Sequence, residues 1–151
     1  MFPTNSPSNS GEGNFLSGIV VQFDLTFTVK AWVEAERYHF FQIVSSQSTM
    51  HRITKFDVDK LYIDYVDERS IEVMRDLIAQ YNADKTAVNY LRVLYSNPCG
   101  CKLTAFMTTN YLQLKNIYGQ RQFHRLPEWK EFCHQLETLP YSEWITGRVK
   151  E

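Results

Sequence analysis

The chain has 151 residues, with Lys+Arg 16 against Asp+Glu 17, so its net charge is 16 − 17 = −1. That length suits one domain, and the charge balance gives no whole-protein footprint for duplex nucleic acid or an anionic membrane. Hydrophobic residues at 44% and aromatics at 15% exclude wholesale disorder, and no apolar run approaches the roughly 18 to 20 residues that cross a bilayer.

Cys99, Cys101 and Cys133 are an odd set that points to a reducing, cytoplasmic setting rather than a disulfide scaffold. Residues 1–14, MFPTNSPSNSGEGN, carry neither Lys nor Arg nor an apolar stretch. They read as a flexible tail rather than a signal or transit peptide, which leaves residues 15–151 for the domain.

The first ordered element is a strand. Val21, Phe23, Leu25, Phe27 and Val29 alternate with polar residues, a period of two that buries one face. Helix formers then predict a helix from Ala31 through Val44, ended by the hydroxyl-rich loop Ser45 to Thr49. Ser70 is placed to cap a helix carrying Ile71, Met74, Leu77, Ile78 and Tyr81. Asp84 is placed to cap the next, with Val88, Leu91, Val93 and Leu94 before the Asn97-Pro98 stop.

Cys101 to Thr108 is short and β-compatible, and Asn110 to Arg121 is a weakly amphipathic helix. Pro127 suits the first turn of a last helix through Trp129, Phe132, Cys133, Leu136 and Leu139, closed by Pro140. The sum is a single helix-rich α+β domain with a small antiparallel or mixed sheet.

Two stretches could carry chemistry. Arg37 to Arg52 sets Arg, His, hydroxyl and Gln side chains beside Tyr38, Phe40 and Phe41. Such donors and ring faces suit a phosphate or a polar heterocycle, and they also suit a snorkelling amphipathic helix. In the second stretch, at about 100° per residue, Asn110, Gln113, Arg121 and His124 share one helical arc with Leu114 and Ile117. Polar groups on a half-apolar face meet either a ligand or a buried network.

The second stretch resembles the long-helix motif of the flavin-dependent thymidylate synthases, the ThyX family. That motif has an Asn, a second Asn six residues on and an Arg five further, with a Leu between, and Asn110, Asn116, Arg121 and Leu114 fit it. Upstream, Phe27 to Arg37 is similar to the strand-to-helix entry before the family's signature, and Ser46 falls where the signature Ser would lie. The resemblance implies a ThyX-like fold, methylation of dUMP to dTMP with FAD, NADPH and methylenetetrahydrofolate, and a homo-oligomer with sites between subunits. It implies nucleotide-binding roles for Arg121, Ser46, Ser48, Arg52 and Arg37. It places Asn110, Asn116 and His51 at the flavin, with the helix face of Asn110, Asn116 and Arg121 meeting Arg37, Ser46 and Arg52 across the ligand. On that reading Arg121→Ala weakens nucleotide binding at least tenfold and leaves the melting temperature nearly unchanged.

Departures set the alternative. Phe41-Gln42-Ile43 stands where the family has Arg-His-Arg, no acidic residue follows before Lys55, and Leu112 replaces an Arg. A charge-assisted contact contributes about 1.5 to 3 kcal/mol, so these changes favour a nucleotide- or flavin-binding relative that has lost catalysis. The small size and sparse catalytic inventory suit a phage or mobile-element gene. A structural interaction domain using Trp32, Trp129 and Trp144 as contact anchors is the other alternative. The three cysteines and His134 match no standard zinc spacing, and Asp57, Asp59, Asp64, Asp67 and Glu68 read as a solvated face.

Overall fold

A computed structural model describes residues 11–148; the remainder of the expected tail, residues 1–10, lies outside them. The chain enters through the 3₁₀ turns Gly11–Gly18 and passes into β1 (Val20–Thr28). Leu25 and Phe27 are buried while Asp24 and Thr26 stay exposed, as the alternation requires. The Thr28 hydroxyl then accepts from Ala31 N at 3.2 Å and starts α1 (Val29–Ala35).

The helix expected to reach Val44 ends nine residues earlier. Phe41 instead turns into the core against Phe23 and Phe132. Gln42–Ser46 becomes β2, in place of helix at Gln42 to Val44 and loop at Ser45 and Ser46. Ile43 and Val44 are β-branched and favour an extended chain once a strand stands beside them. That strand is β3 (Lys102–Asn110), which runs between β1 and β2 and pairs antiparallel with both. The register with β2 shifts between Ile43 and Ser45, as a bulge does.

The short helices α2 (Thr49–Arg52) and α3 (Val58–Leu61) lead to the hairpin of α4 (Glu68–Ala83) and α5 (Ala87–Ser96). Its caps differ from the sequence expectation. Asp67, not Ser70, caps α4 by accepting from Arg69 N at 2.9 Å. Thr86, not Asp84, caps α5 by accepting from Asn89 N at 3.2 Å. Asp84 is instead the C-terminal residue of the α4 turn, and its carbonyl accepts from Asn89 Nδ2. The acidic run has local work as well: Asp57 caps α3, and Asp59 and Glu68 both hold Arg75.

α6 (Tyr111–Arg121), α7 (Pro127–Leu136) and α8 (Glu143–Thr146) complete the chain. Two apolar clusters result. One joins β1, α1, β3, α6, α7 and α8 around Phe27, Leu114 and Trp129. The other joins the α3–α5 helices to the start of β3 around Ile53, Met74, Val93 and Cys101. Trp32 and Trp129 are core residues at 7% and 0% exposure, and Trp144 packs on Phe15 and Tyr141. Trp32 and Trp129 therefore build the interior and are closed to a partner, while Trp144 is partly buried at its edge.

Glu137, just past α7, ties α6 and the C-terminal segment together. It accepts from the Tyr118 hydroxyl at 2.6 Å and pairs with Arg148 and His134, each at 3.5 Å. The Tyr118 hydrogen bond, with Arg148 and His134 behind it, holds this carboxyl below its ordinary 4.5. A depressed carboxylate stabilises above its unfolded pKa and loses that contribution as pH falls through the folded value. Urea denaturation is expected to show stability dropping from about pH 5 to about pH 3 more steeply in the native protein than in Glu137→Gln. Equal slopes would remove this role.

Candidate functional site

α6 opens at Asn110, the last residue of β3. Its Oδ1 accepts from Gln113 N at 2.9 Å, so a residue expected at a flavin serves first as the helix cap. The expected arc and the second Asn of the family motif point different ways. Gln113, Leu114 and Ile117 face inward and are buried, whereas Asn116 is exposed and accepts from Gln120 Nε2 at 3.3 Å.

At the end of α6, Arg121 and His124 converge on a residue that sequence reasoning missed, Glu34 of α1. Its Oε2 receives Arg121 Nη1 at 2.8 Å, Trp129 Nε1 at 3.1 Å and His124 Nε2 at 3.2 Å. Arg121 Nε donates to the Tyr38 hydroxyl at 2.7 Å, and the guanidinium lies 4.9 Å from the Trp129 ring centroid and 5.4 Å from that of Tyr38. The Leu126 N–H donates to His124 Nδ1 at 3.2 Å, which leaves Nε2 of the neutral ring to carry the proton toward Glu34.

The side chains of Arg121 and Glu34 are only 18% and 24% exposed. Arg121 is therefore a partner in a half-buried network, and its removal is expected to cost stability. This corrects the expectation of a nearly unchanged melting temperature. Of the arc, Arg121 and His124 join this network, while Gln113 Nε2 is left without a partner.

Three polar atoms are shielded and unpartnered among the described residues: Thr109 Oγ1, Gln113 Nε2 and Glu128 Oε2. The first two sit at the β3–α6 junction, where Gln113 Oε1 accepts from Phe40 N at 3.4 Å. A cavity of about 520 Å³ opens beside Glu34, Phe123 and His124.

The other expected site residues lie elsewhere. Arg37 is exposed just after α1, and Ser46 is the exposed end of β2. Ser48 is half-buried before α2, which carries the exposed His51 and Arg52. Gln42 pairs opposite Thr108 near Asn110, but Ser46 pairs opposite Ala105. At ~3.3 Å per residue the serine end of β2, opposite Ala105, stands ~16 Å along the sheet from the α6 junction at Asn110. One chain thus gathers Asn110, Gln113 and Phe40 at one end of β2 and Ser46 to Arg52 at the other.

The cysteines fall apart in the same way. Cys99 is exposed, whereas Cys101 and Cys133 are buried in different clusters. Burial, then Glu137, pushes the Cys133 thiol up to about 11 against the opposing pull of Arg121. No three His, Cys, Asp or Glu among the described residues stand close enough to hold a metal, and no described helix is long and apolar enough to cross a membrane.

The architecture, a three-stranded antiparallel sheet with helices gathered around it and a long helix leaving its central strand, defines a ThyX-like α+β fold. Two solved structures share it, both of flavin-dependent thymidylate synthase ThyX from Helicobacter pylori with FAD and dUMP. Each aligns with a TM-score of 0.72 over 89% of this chain and 74% of its own length, at 13% and 15% identity. No protein-family model matches the sequence, and no curated protein does. The family resemblance read from Asn110, Leu114, Asn116 and Arg121 thus meets a shared fold.

Proposed function

We propose that this chain is a divergent ThyX relative that binds FAD and a deoxyuridine nucleotide in a homo-oligomer. The observation that carries the reading is the fold, which this chain shares over 89% of its length with ThyX bound to FAD and dUMP. The surface supports it. All five side chains of β2 are exposed, and Phe40, Ile43, Val44 and Met50 form an apolar margin, 42–58% exposed, of the kind a second copy covers. Bringing the Ser46 to Arg52 end of one chain to the α6 end of another would reunite the expected site residues. The exposed amide of Asn116, the imidazole of His51 and the unpartnered amide of Gln113 fit the polar edge of a flavin. Arg52, Arg37, Ser46 and Ser48 make no side-chain hydrogen bond or ion pair among the described residues and fit the nucleotide's polar groups. FAD supplies hydride chemistry when bound; a retained synthase also consumes NADPH and methylenetetrahydrofolate. The setting is cytoplasmic.

A second reading, a binder without catalysis, is favoured by Glu34. Its carboxylate occupies the guanidinium of Arg121 that the family resemblance assigns to the pyrimidine. Visible absorption after adding FAD and then dUMP, with size-exclusion chromatography, tests both. Flavin bands that co-elute with an oligomer and shift on dUMP addition are expected. A colourless protein that ignores FAD overturns the proposal, and a dTMP assay then separates synthase from binder.

A further inference from the structure

A second cavity, which shares Arg125 and Leu126 with the one beside Glu34, has the makings of a site. A cavity of about 550 Å³ lies where the first turns of α1 and α7 meet the 63–66 segment and the Cys99–Gly100 turn. Gly100 makes that wall possible. A Cβ there would run into the Val66 side chain, and Ile63 N donates to Gly100 O at 3.0 Å.

Lys30, Arg125 and Lys130 line the cavity, and none of them joins an ion pair or side-chain hydrogen bond among the described residues. α7 starts at the same place with no side-chain cap, so the positive end of its dipole adds to theirs. Glu128 is the one acid in the lining. Its Oε1 accepts the Thr28 hydroxyl, but its Oε2 is shielded from solvent and accepts nothing. A shielded carboxylate oxygen without a donor is costly, and a ligand's N–H or O–H would remove that cost. Three cations and one carboxylate leave 3 − 1 = +2 in the lining. That charge matches a dianion better than a monoanion. Ile63, Val66, Leu126 and Pro127 add an apolar wall for a small organic body.

We propose that this cavity binds a small phosphomonoester whose organic part donates a hydrogen bond to Glu128 Oε2. The phosphate sits among Lys30, Arg125 and Lys130, and the inference does not depend on the flavin reading. Inorganic phosphate shares the anion but lacks the apolar-backed donor, so the two sources are separable.

Cys99 lines the cavity and is the exposed cysteine, with Cys101 and Cys133 buried. Alkylation of Cys99 by iodoacetamide, followed by mass spectrometry at constant ionic strength, therefore reports occupancy in the whole protein. Glycerol 1-phosphate is expected to slow alkylation at concentrations at least fivefold lower than n-propyl phosphate, which has the same carbon skeleton and no hydroxyl, or inorganic phosphate. The double variant Arg125→Gln/Lys130→Gln, at two exposed positions, should raise the half-protecting concentration of all three at least tenfold. Glu128→Ala should keep protection by phosphates and erase the preference for glycerol 1-phosphate over n-propyl phosphate. Absence of protection, equal protection by all three probes, or a preference that survives Glu128→Ala overturns the proposal. Should Glu128→Ala fail to fold, the double variant decides alone, and unchanged protection there overturns it.

Discussion

Trp129→Ala is expected to remove about 3–5 kcal/mol of stability. Trp129 has 0% exposure. Its ring meets Phe27 at a centroid distance of 4.8 Å, Tyr38 at 6.0 Å and Phe132 at 6.0 Å, all edge-on. Deleting it leaves a void at the join of β1, α1 and α7 that these rigid rings cannot fill by small shifts. It also strips one donor from Glu34 and one of two aromatic rings from the Arg121 guanidinium, leaving Tyr38. Urea denaturation is the measurement. Trp129→Phe separates the two contributions, since it restores part of the volume but not the N–H. A loss under about 1.5 kcal/mol for the alanine variant, the range of tolerated volume-conserving swaps, would show that the cluster does not organise the fold.

Arg121→Ala is expected to cost about 2–4 kcal/mol, because it leaves Glu34 largely shielded with its cation gone. At about 2–4 °C per kcal/mol for a chain of this size, the melting temperature falls by several degrees. The complementary variant carries the functional information. Glu34→Gln is also destabilising, yet it releases the guanidinium from its internal carboxylate. If Arg121 contacts the nucleotide, dUMP affinity rises severalfold in Glu34→Gln and is lost in Arg121→Ala. Titration calorimetry reads both, and an affinity indifferent to Glu34→Gln places Arg121 outside the nucleotide site. A double-mutant cycle in urea isolates the pair's own coupling from the costs of truncation.

Much of the candidate site was legible only as composition. The arc of Asn110, Gln113, Arg121 and His124 showed that polar groups would need defined partners, but not which ones. Glu34 lies 87 residues from Arg121 and 95 from Trp129 in the chain, and nothing local to α1 marks it as their acceptor. The Thr28 to Glu128 hydrogen bond bridges 100 residues and was equally invisible.

What the sequence by itself determined are the features whose causes lie within a turn or two of chain. The alternation of Val21 to Phe27 dictates β1, Asn97-Pro98 ends α5, Asn110 starts α6, and Pro127 starts α7. What only the tertiary structure decided needed a partner from far away. Gln42–Ser46 is too short and too evenly exposed to show a period, and it is a strand because β3 stands beside it. The choice of Asp67 over Ser70 and of Thr86 over Asp84 followed from how α4 and α5 pack on the second cluster, which set where each first turn begins. Arg121 became the partner of a half-buried carboxylate for the same reason. A side chain with five donors goes to whichever carboxylate the fold shields from water, and packing alone placed Glu34 there.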